Sequence, residues 1–514
     1  MIKKVEDKEF IYLTRLICSP GYVERKTMVP VREPPLQYFL FNDRRDWKIP
    51  YMTAEFYLAF QMILKKILRY ILLTIFGIVG FVILFIVFSV GPVDRTPVMS
   101  LPAYKLMMNR LDTLDIHPTK AKRGFSVGFA KVNITPSKPI ATAGYGKRLG
   151  KPYVTVHDSI FVRTMVVENG SQRVAIVSAD LLIIPPTVTR IVESKLQQIG
   201  FNLNNTYLSA THSHNSIGHW GEGATKFIYG TYQDSVVQFI ADGIVTSIEE
   251  ATANLLPSML KVGAISLPQA IENRLIDGGK EDPLLRALEV HRQDSSKLIL
   301  LSYGAHATCL SQGTLELSRD YPGMLVDGLE AKDYAFAMFL AGGVGSHKGS
   351  SPDANWDCVS WMAEEISEGF MAQRSSLQTM TDSSLLMKKI PLALSDPQVK
   401  LNPQWKLRSW VFRSAFGEYK SYLTVLRIGD LVMLGTPCDF SGEFNASLDS
   451  LARAHGVRAM VTSFNGGYIG YVTPGKYYDL DHYETQLMNW YAPGTGDYIK
   501  KCLEKLIVAV SDTR

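Results

Sequence analysis

The amino-acid sequence predicts a mixed α/β body, rich in strands, over residues 125–514, carried behind one membrane-spanning helix over residues 70–91. Three observations predict it. Short apolar runs that read as strands alternate with amphipathic stretches from Phe125 onward, no repeat or linker divides them, and a 22-residue stretch ahead of them carries no charge. With 46% hydrophobic and 20% charged residues among 514, the composition is globular and excludes collagen-like, coiled-coil and wholly disordered classes.

Residues 1–61 hold proline breaks at Pro30 and at Pro34-Pro35 and no sustained periodicity, so no domain is expected there. Met62-Ile-Leu-Lys-Lys would itself open a short anchored protein, and the segment before it is expected to be a disordered tail or untranslated sequence. The uncharged run at 70–91 spans ~30 Å at ~1.5 Å per residue, the thickness of a bilayer core. It ends in Gly91-Pro92-Val93-Asp94-Arg95 rather than at a small-residue cleavage site, which marks a retained signal-anchor. Lys65, Lys66 and Arg69 abut its start, whereas only Arg95 and Lys105 follow closely. Residues 1–69 are therefore expected in the cytoplasm and everything after Gly91 in the periplasm or cell exterior. Residues 92–124, interrupted by prolines, are expected to be a tether.

In the body, residues 125–132 and 159–168 alternate as half-buried strands do, and residues 173–180 form a continuous buried-type strand. Residues 186–199 place Val188, Ile191, Val192 and Leu196 at helical spacing after Pro186, and residues 232–253 read as a second amphipathic helix. Later strands are expected at 297–303 and 422–428. Charge is unevenly distributed: residues 1–69 hold 13 Lys/Arg and 8 Asp/Glu, leaving 41 of each in the remainder. That neutrality excludes an electrostatic footprint for nucleic acid in the body. Five cysteines, at 18, 309, 358, 438 and 502, are too few and too scattered for a disulfide framework, and none makes a C-x-x-C pair.

The chemistry concentrates at strand ends. An apolar strand beginning at Tyr207 runs into Thr211-His212-Ser213-His214, and residues i and i+2 of a strand share a face, so both imidazoles are expected to project together. Such a pair ligates metal or is simply solvated or satisfied in a core. His306 follows the strand 298–303, and Asp439 follows an apolar strand and Pro437. Two neutral imidazoles and a carboxylate from separate strand ends would make a tetrahedral zinc site with one position open.

Between Val127 and Lys505 the sequence resembles the neutral, non-lysosomal ceramidases. The resemblance is carried by Val127-Gly-Phe-Ala-Lys-Val-Asn-Ile-Thr-Pro, Ala143-Gly-Tyr-Gly, His157-Asp-Ser-Ile-Phe-Val-Arg, Ser209-Ala-Thr-His-Ser-His, Glu272-Asn-Arg, Gly304-Ala-His, Thr436-Pro-Cys-Asp-Phe and Gly470-Tyr-Val-Thr-Pro. It implies zinc ligands at His212, His306, Asp439 and Tyr471, with His214 as general acid/base. It also implies that Arg274 binds the substrate oxygen beside Tyr483, a second active-site tyrosine. The reaction implied is hydrolysis of the N-acyl amide bond of ceramide or a related N-acyl lipid to a sphingoid base or amine and a fatty acid. An imidazole titrating near neutrality suits proton transfer from water to the departing nitrogen, and Arg274 and Tyr483 suit a developing oxyanion.

There are three departures from the family pattern, of which the second and third weaken the substrate assignment. Asp439 stands where the family usually has glutamate, so its shorter carboxylate must be brought closer by backbone, with Glu443 as the fallback ligand. Phe339-Leu-Ala-Gly-Gly-Val-Gly-Ser-His-Lys-Gly replaces the family's Asn-x-Gly-Asp loop, which predicts an altered pocket. The chain ends soon after Tyr483, without the β-sandwich domain common in true ceramidases.

The remaining histidines get structural readings: His157 as support for a ligand, His219 with Trp220 at the cleft mouth, His347 as a weak candidate, and His117, His291 and His455 as exposed or structural. Asp180 is read as capping a loop or touching the site, and the Tyr/Trp-rich stretch 468–498 mainly as core. The expectation is a membrane-anchored zinc amidohydrolase acting on a lipid-like N-acyl amide, with no nucleic-acid partner and no oligomeric state specified by the sequence. Its alternatives are a zinc hydrolase of another amide or ester, and a non-catalytic membrane-tethered binding protein.

Overall fold

The computed structural model describes residues 53–118 and 124–511. The expectation for residues 1–52 lies outside the described residues. Contacts divide the chain into a first unit, Met1–Gly77, and a second, Ile78–Arg514. The described part of the first unit is almost entirely helix, belonging to α1 (Ala54–Ser89), which is 36 residues long. This helix is long and apolar enough to cross a membrane. It begins well before the expected boundary at residue 70, because the stretch around Lys65, Lys66 and Arg69 contains no proline or glycine to stop a helix.

The second unit is built on two sheets. The larger contains β1 (Phe125–Asn133), β2 (Phe161–Glu168), β3 (Arg173–Ala179), β4 (Thr206–Ala210), β5 (Leu256–Ser266), β6 (Leu284–Arg292), β7 (Lys297–Tyr303) and β8 (Phe336–Ala341). Their spatial order is β8-β7-β6-β5-β1-β2-β3-β4, with the two-residue strand Gln378–Thr379 pairing β5 off this path. The smaller sheet contains β9 (Leu385–Pro391), β10 (Tyr422–Ile428), β11 (Leu431–Gly435) and β12 (Arg458–Thr462) in that order. Only β3–β4, β7–β8 and β11–β12 pair in parallel within these two sheets.

The sheets face each other across an apolar layer in which Val127, Met165, Ile176, Leu298 and Met338 meet Leu385, Leu426, Met433 and Met460. On the outer face of the large sheet, α3 (Pro186–Leu196) and α4 (Asp234–Ala253) cover one half. The other half is covered by α5 (Asp320–Lys332) and α6 (Asn355–Gln373). Strand β7 explains its own sequence: Leu298 and Leu300 point to the opposing sheet while Ile299 and Leu301 point to the helices. Two buried faces require a continuous apolar run.

Residues 92–118 do not form the expected tether. Val90–Pro92 pairs antiparallel with Trp405–Leu407, and α2 (Pro102–Asp112) is built into the core. Val98, Met107, Leu111 and Ile116 are buried beside α8 (Asn445–Ala454), α9 (Thr495–Ser511) and the outer face of the small sheet. An intervening helix, α7 (Ser409–Phe416), packs Phe412 onto Trp490. Within 92–118 only a few apolar residues recur at helical spacing, too few to be read against four prolines.

The large sheet curls until its outermost strands approach. Ser178 Oγ on β3 donates to the Phe339 carbonyl on β8 at 2.5 Å, and Arg163 Nη1 on β2 donates to the Ala337 carbonyl at 2.8 Å. Just past β12, Ser463 N donates to the Ala341 carbonyl and Asn465 Nδ2 to the Leu208 carbonyl. Twist of about 20–25° per step accumulates to roughly 120–150° between β7 and β4. That rotation offsets the antiparallel sense of the two strands and lets both C-terminal ends open toward one place.

A disulfide joins Cys309, three residues past His306, to Cys358 on α6. Their separation of 49 residues gives no signal in sequence.

Candidate metal centre at the converging strand ends

Three segments that follow strands supply the site: Thr211–His214 after β4, Gly304–His306 after β7, and Asp439 after β11. His212 and His214 project together, but not because they lie on a strand, since β4 stops at Ala210. His212 instead takes a left-handed backbone with φ 64°, as does Phe464 at φ 59°, and the two rings stack 3.9 Å apart.

The imidazoles meet tip to tip. His212 Nε2 lies 2.8 Å from His306 Nε2, and His214 Nε2 lies 3.1 Å and 3.2 Å from those two atoms. His212 Nδ1 donates to the Leu182 carbonyl at 2.7 Å, which leaves a lone pair on Nε2. Burial pushes the His212 pKa down to about 3 and holds His214 and His306 well below the ordinary imidazole value, so all three are neutral. Buried lone pairs at such separations repel unless a cation or a shared proton stands between them. These three histidines are able to hold a metal ion.

Oxygen donors complete the rim. Asp439 Oδ1 is fully buried, lies 3.4 Å from His212 Nε2 and accepts no well-formed hydrogen bond. Its Oδ2 accepts from the Tyr468 hydroxyl at 2.7 Å. The Tyr471 hydroxyl lies 3.4 Å from His306 Nε2, and the backbones of Asp439 and Tyr471 pair as a short parallel ribbon. The fallback carboxylate is engaged elsewhere: Glu443 accepts from Asn273 Nδ2 and from the Tyr477 hydroxyl, each at 3.2 Å. Backbone placement makes up for the short aspartate. The glycine-rich loop after β8 lies against it so closely that a Cβ on Gly345 would stand 2.3 Å from the Asp439 carbonyl oxygen.

Burial raises the Asp439 pKa to about 7, against the lowering effect of the Tyr468 hydrogen bond and of Arg274. A cation bound there must displace the carboxyl proton below that pH. Apparent metal affinity of the metal-stripped protein is therefore expected to level off above pH 7 and fall roughly tenfold per unit below it. Chelator competition across pH 5.5–8.5 measures this, and Asp439→Asn should remove the dependence.

Arg274 and Tyr483 are both near but differ in exposure. Arg274 Nη2 pairs with Glu484 Oε1 at 2.5 Å, Nη1 reaches within 3.4 Å of His306 Nδ1, and the guanidinium sits 5.9 Å from the Tyr471 ring centre. The Tyr483 ring is 6.2 Å from that of Tyr471 and 54% exposed, which places it at the mouth rather than the floor.

Several contributors escaped the sequence reading. Tyr468, read there as core, is the partner of Asp439. Arg148 is buried and ties the H-x-H loop down, donating to the His214 carbonyl at 2.7 Å, Asn215 Oδ1 at 2.9 Å and the Thr314 carbonyl at 2.9 Å. Its only signal was a basic residue shortly after Ala143-Gly-Tyr-Gly. Gly144 in that motif has φ 126°, and a Cβ there would stand 2.2 Å from the His214 carbonyl oxygen. Gly144→Ala is expected to destabilise by about 1–3 kcal/mol and to lower bound metal, checked by thermal unfolding and metal analysis.

The other candidates lie outside the cluster. His157 is half-exposed and stacks on Trp356, and His219 accepts from Ala141 N to organise its loop. His347 is buried between the Gly343 and Lys280 carbonyls. Asp180 caps a strand by accepting from Phe161 N.

A family model described as neutral/alkaline non-lysosomal ceramidase, N-terminal, matches residues 125–320, the segment that carries His212, His214, Arg274 and His306. The neutral ceramidase of Pseudomonas aeruginosa is 30% identical over 167 residues, which cover 31% of this chain and 25% of that protein. The matched segment thus spans about a quarter of the curated relative's length. In fold, the chain is similar to the crystal structure of the P. aeruginosa neutral ceramidase, with TM-score 0.63 and 19% identity over 76% of this chain and 74% of that one. A second structure, a ceramidase complexed with C2, gives TM-score 0.64 at 19% identity over 76% and 75%.

Proposed function

We propose that this chain is a membrane-anchored, zinc-dependent amidohydrolase that cleaves the N-acyl amide bond of ceramide or a related N-acyl lipid, releasing a fatty acid and a sphingoid base or amine. The observation that carries the reading is the convergence of three neutral imidazole Nε2 atoms on a buried carboxylate, with the imidazoles inside the family-matched segment.

His212, His306, Asp439 and Tyr471 are the residues that hold the ion. Their nitrogen and oxygen donors suit zinc. Bound there, zinc supplies Lewis acidity that activates water near neutral pH. His214 is the outermost imidazole, 9% exposed against 3% for His212 and 2% for His306. It is therefore the one placed to take a proton from water and return it to the leaving nitrogen. Arg274, held by Glu484, offers its remaining N–H groups to the carbonyl oxygen as negative charge develops, and Tyr483 closes the mouth over it. The body lies outside the cytoplasm in this reading. The Cys309–Cys358 disulfide supports that side, because such bonds persist in oxidising compartments.

The test is turnover of N-acylsphingosine by the full chain, with and without chelator. Chelator-sensitive release of fatty acid supports the reading. Turnover confined to soluble amides or esters replaces the substrate, and absence of any turnover with metal bound leaves a binding protein.

A further inference from the structure

The end of α1 is pinned rather than free. Arg408 N donates to the Ser89 carbonyl at 2.8 Å and Trp410 Nε1 to the Phe88 carbonyl at 2.9 Å. The Trp410 ring meets Phe85 edge-on at 6.4 Å. The next residues enter the ribbon in which Val90 faces Leu407 and Pro92 faces Trp405. No slack chain separates the apolar helix from the segment 401–416.

That segment has two faces. Inward, Phe412 and Phe416 pack on Trp490 at 5.1 Å and 6.0 Å between ring centres. Outward, Leu401 is 52% exposed, Trp405 51% and Trp410 47%, three large apolar side chains beside the end of an apolar helix. Of the nearby cations, Arg413 pairs with Asp396 at 2.5 Å and Arg95 with Asp479 at 2.7 Å, whereas Lys406 donates to Gln398 Oε1 and Arg408 to the Val90 carbonyl. The face therefore offers aromatic and aliphatic contact, with Lys406 and Arg408 in the same segment. The indole N–H of Trp410 is already satisfied, so the ring enters a less polar medium without an unpaired donor.

We propose that residues 401–416 dock on the bilayer surface, with Leu401, Trp405 and Trp410 seated at the headgroup–acyl boundary of the leaflet from which α1 emerges. The occupant is a phospholipid surface, and continuity with the end of α1 selects it over a protein partner. This inference rests on the anchored reading of α1. It also orients the site: Trp490, behind the docked face, packs at 5.6 Å against Tyr468, which holds Asp439, and its indole donates to the Leu487 carbonyl at the mouth. Leu487 and Tyr483 are both exposed there. The docked face and the mouth are thus joined through Trp490.

The test uses the full chain with Cys18→Ser and Leu401→Cys, carrying an environment-sensitive fluorophore, in phosphatidylcholine vesicles. Met259→Cys on β5, an exposed position, is the aqueous reference, and the native thiols of Cys438 and Cys502 are buried. The label at 401 should emit at shorter wavelength than that at 259, lose emission to nitroxide-bearing phosphatidylcholine, and resist aqueous iodide. Equal iodide quenching at 401 and 259 in protein that floats with the vesicles overturns the docking while leaving the anchor intact. Failure to float overturns the anchor and the docking with it.

Discussion

His306→Ala is expected to lose nearly all bound metal and all detectable turnover, whereas His214→Ala keeps its metal and turns over about 100- to 10,000-fold more slowly. The difference follows from position. His306 Nε2 is the innermost meeting point, within 3.4 Å of His212, His214 and Tyr471 alike. His214 stands on the outer side, its backbone clamped by Arg148, so removing its ring opens space toward solvent without dispersing the other donors. Metal analysis of the purified variants, beside single-turnover assays, decides the assignment. Metal loss in His214→Ala would make all three imidazoles ligands and move the proton-transfer role elsewhere.

The second large effect is on folding. A chain beginning at Gly124 is expected to be unstable at 25 °C, whereas one beginning at Ser89 folds. The shorter chain lacks Val98, Met107, Leu111 and Ile116, all buried against the small sheet and its helices. At about 1.5–3 kcal/mol per buried apolar side chain, the loss is on the order of 6–12 kcal/mol. That is comparable to the whole stability of a typical domain, about 5–15 kcal/mol. It also loses the hydrogen bond from Val98 N to the Pro493 carbonyl and the ion pair between Asp112 and Lys505. Urea unfolding of both chains by circular dichroism measures the gap, and matching midpoints would mean that α2 is dispensable.

These two expectations mark where the sequence was legible. Strands β7 and β10 have the expected bounds because both their faces are buried, which writes an unbroken apolar run into the chain. The long α4 was readable because one buried stripe repeats over five turns. Residues 92–118 were not, since α2 buries only Met107 and Leu111 and its partners lie some 400 residues away on α9. The same distance hid Tyr468 and Arg148, whose roles depend on which loops the sheets bring together. Candidate ligands His212, His306 and Asp439 were visible because each directly follows an apolar strand. That they meet required the curl of the large sheet, which no local pattern encodes.

That curl leaves the large sheet with two ends in its strand order but with several carbonyls at those ends already engaged. On β8 the carbonyls of Ala337, Phe339 and Ala341 accept from Arg163, Ser178 and Ser463, and on β4 the Leu208 carbonyl accepts from Asn465. An open edge of such apolar strands would be a template for intermolecular pairing and aggregation. Here the margins are closed by the molecule's own side chains and by the end of β12. An added strand from another chain would first have to break these contacts.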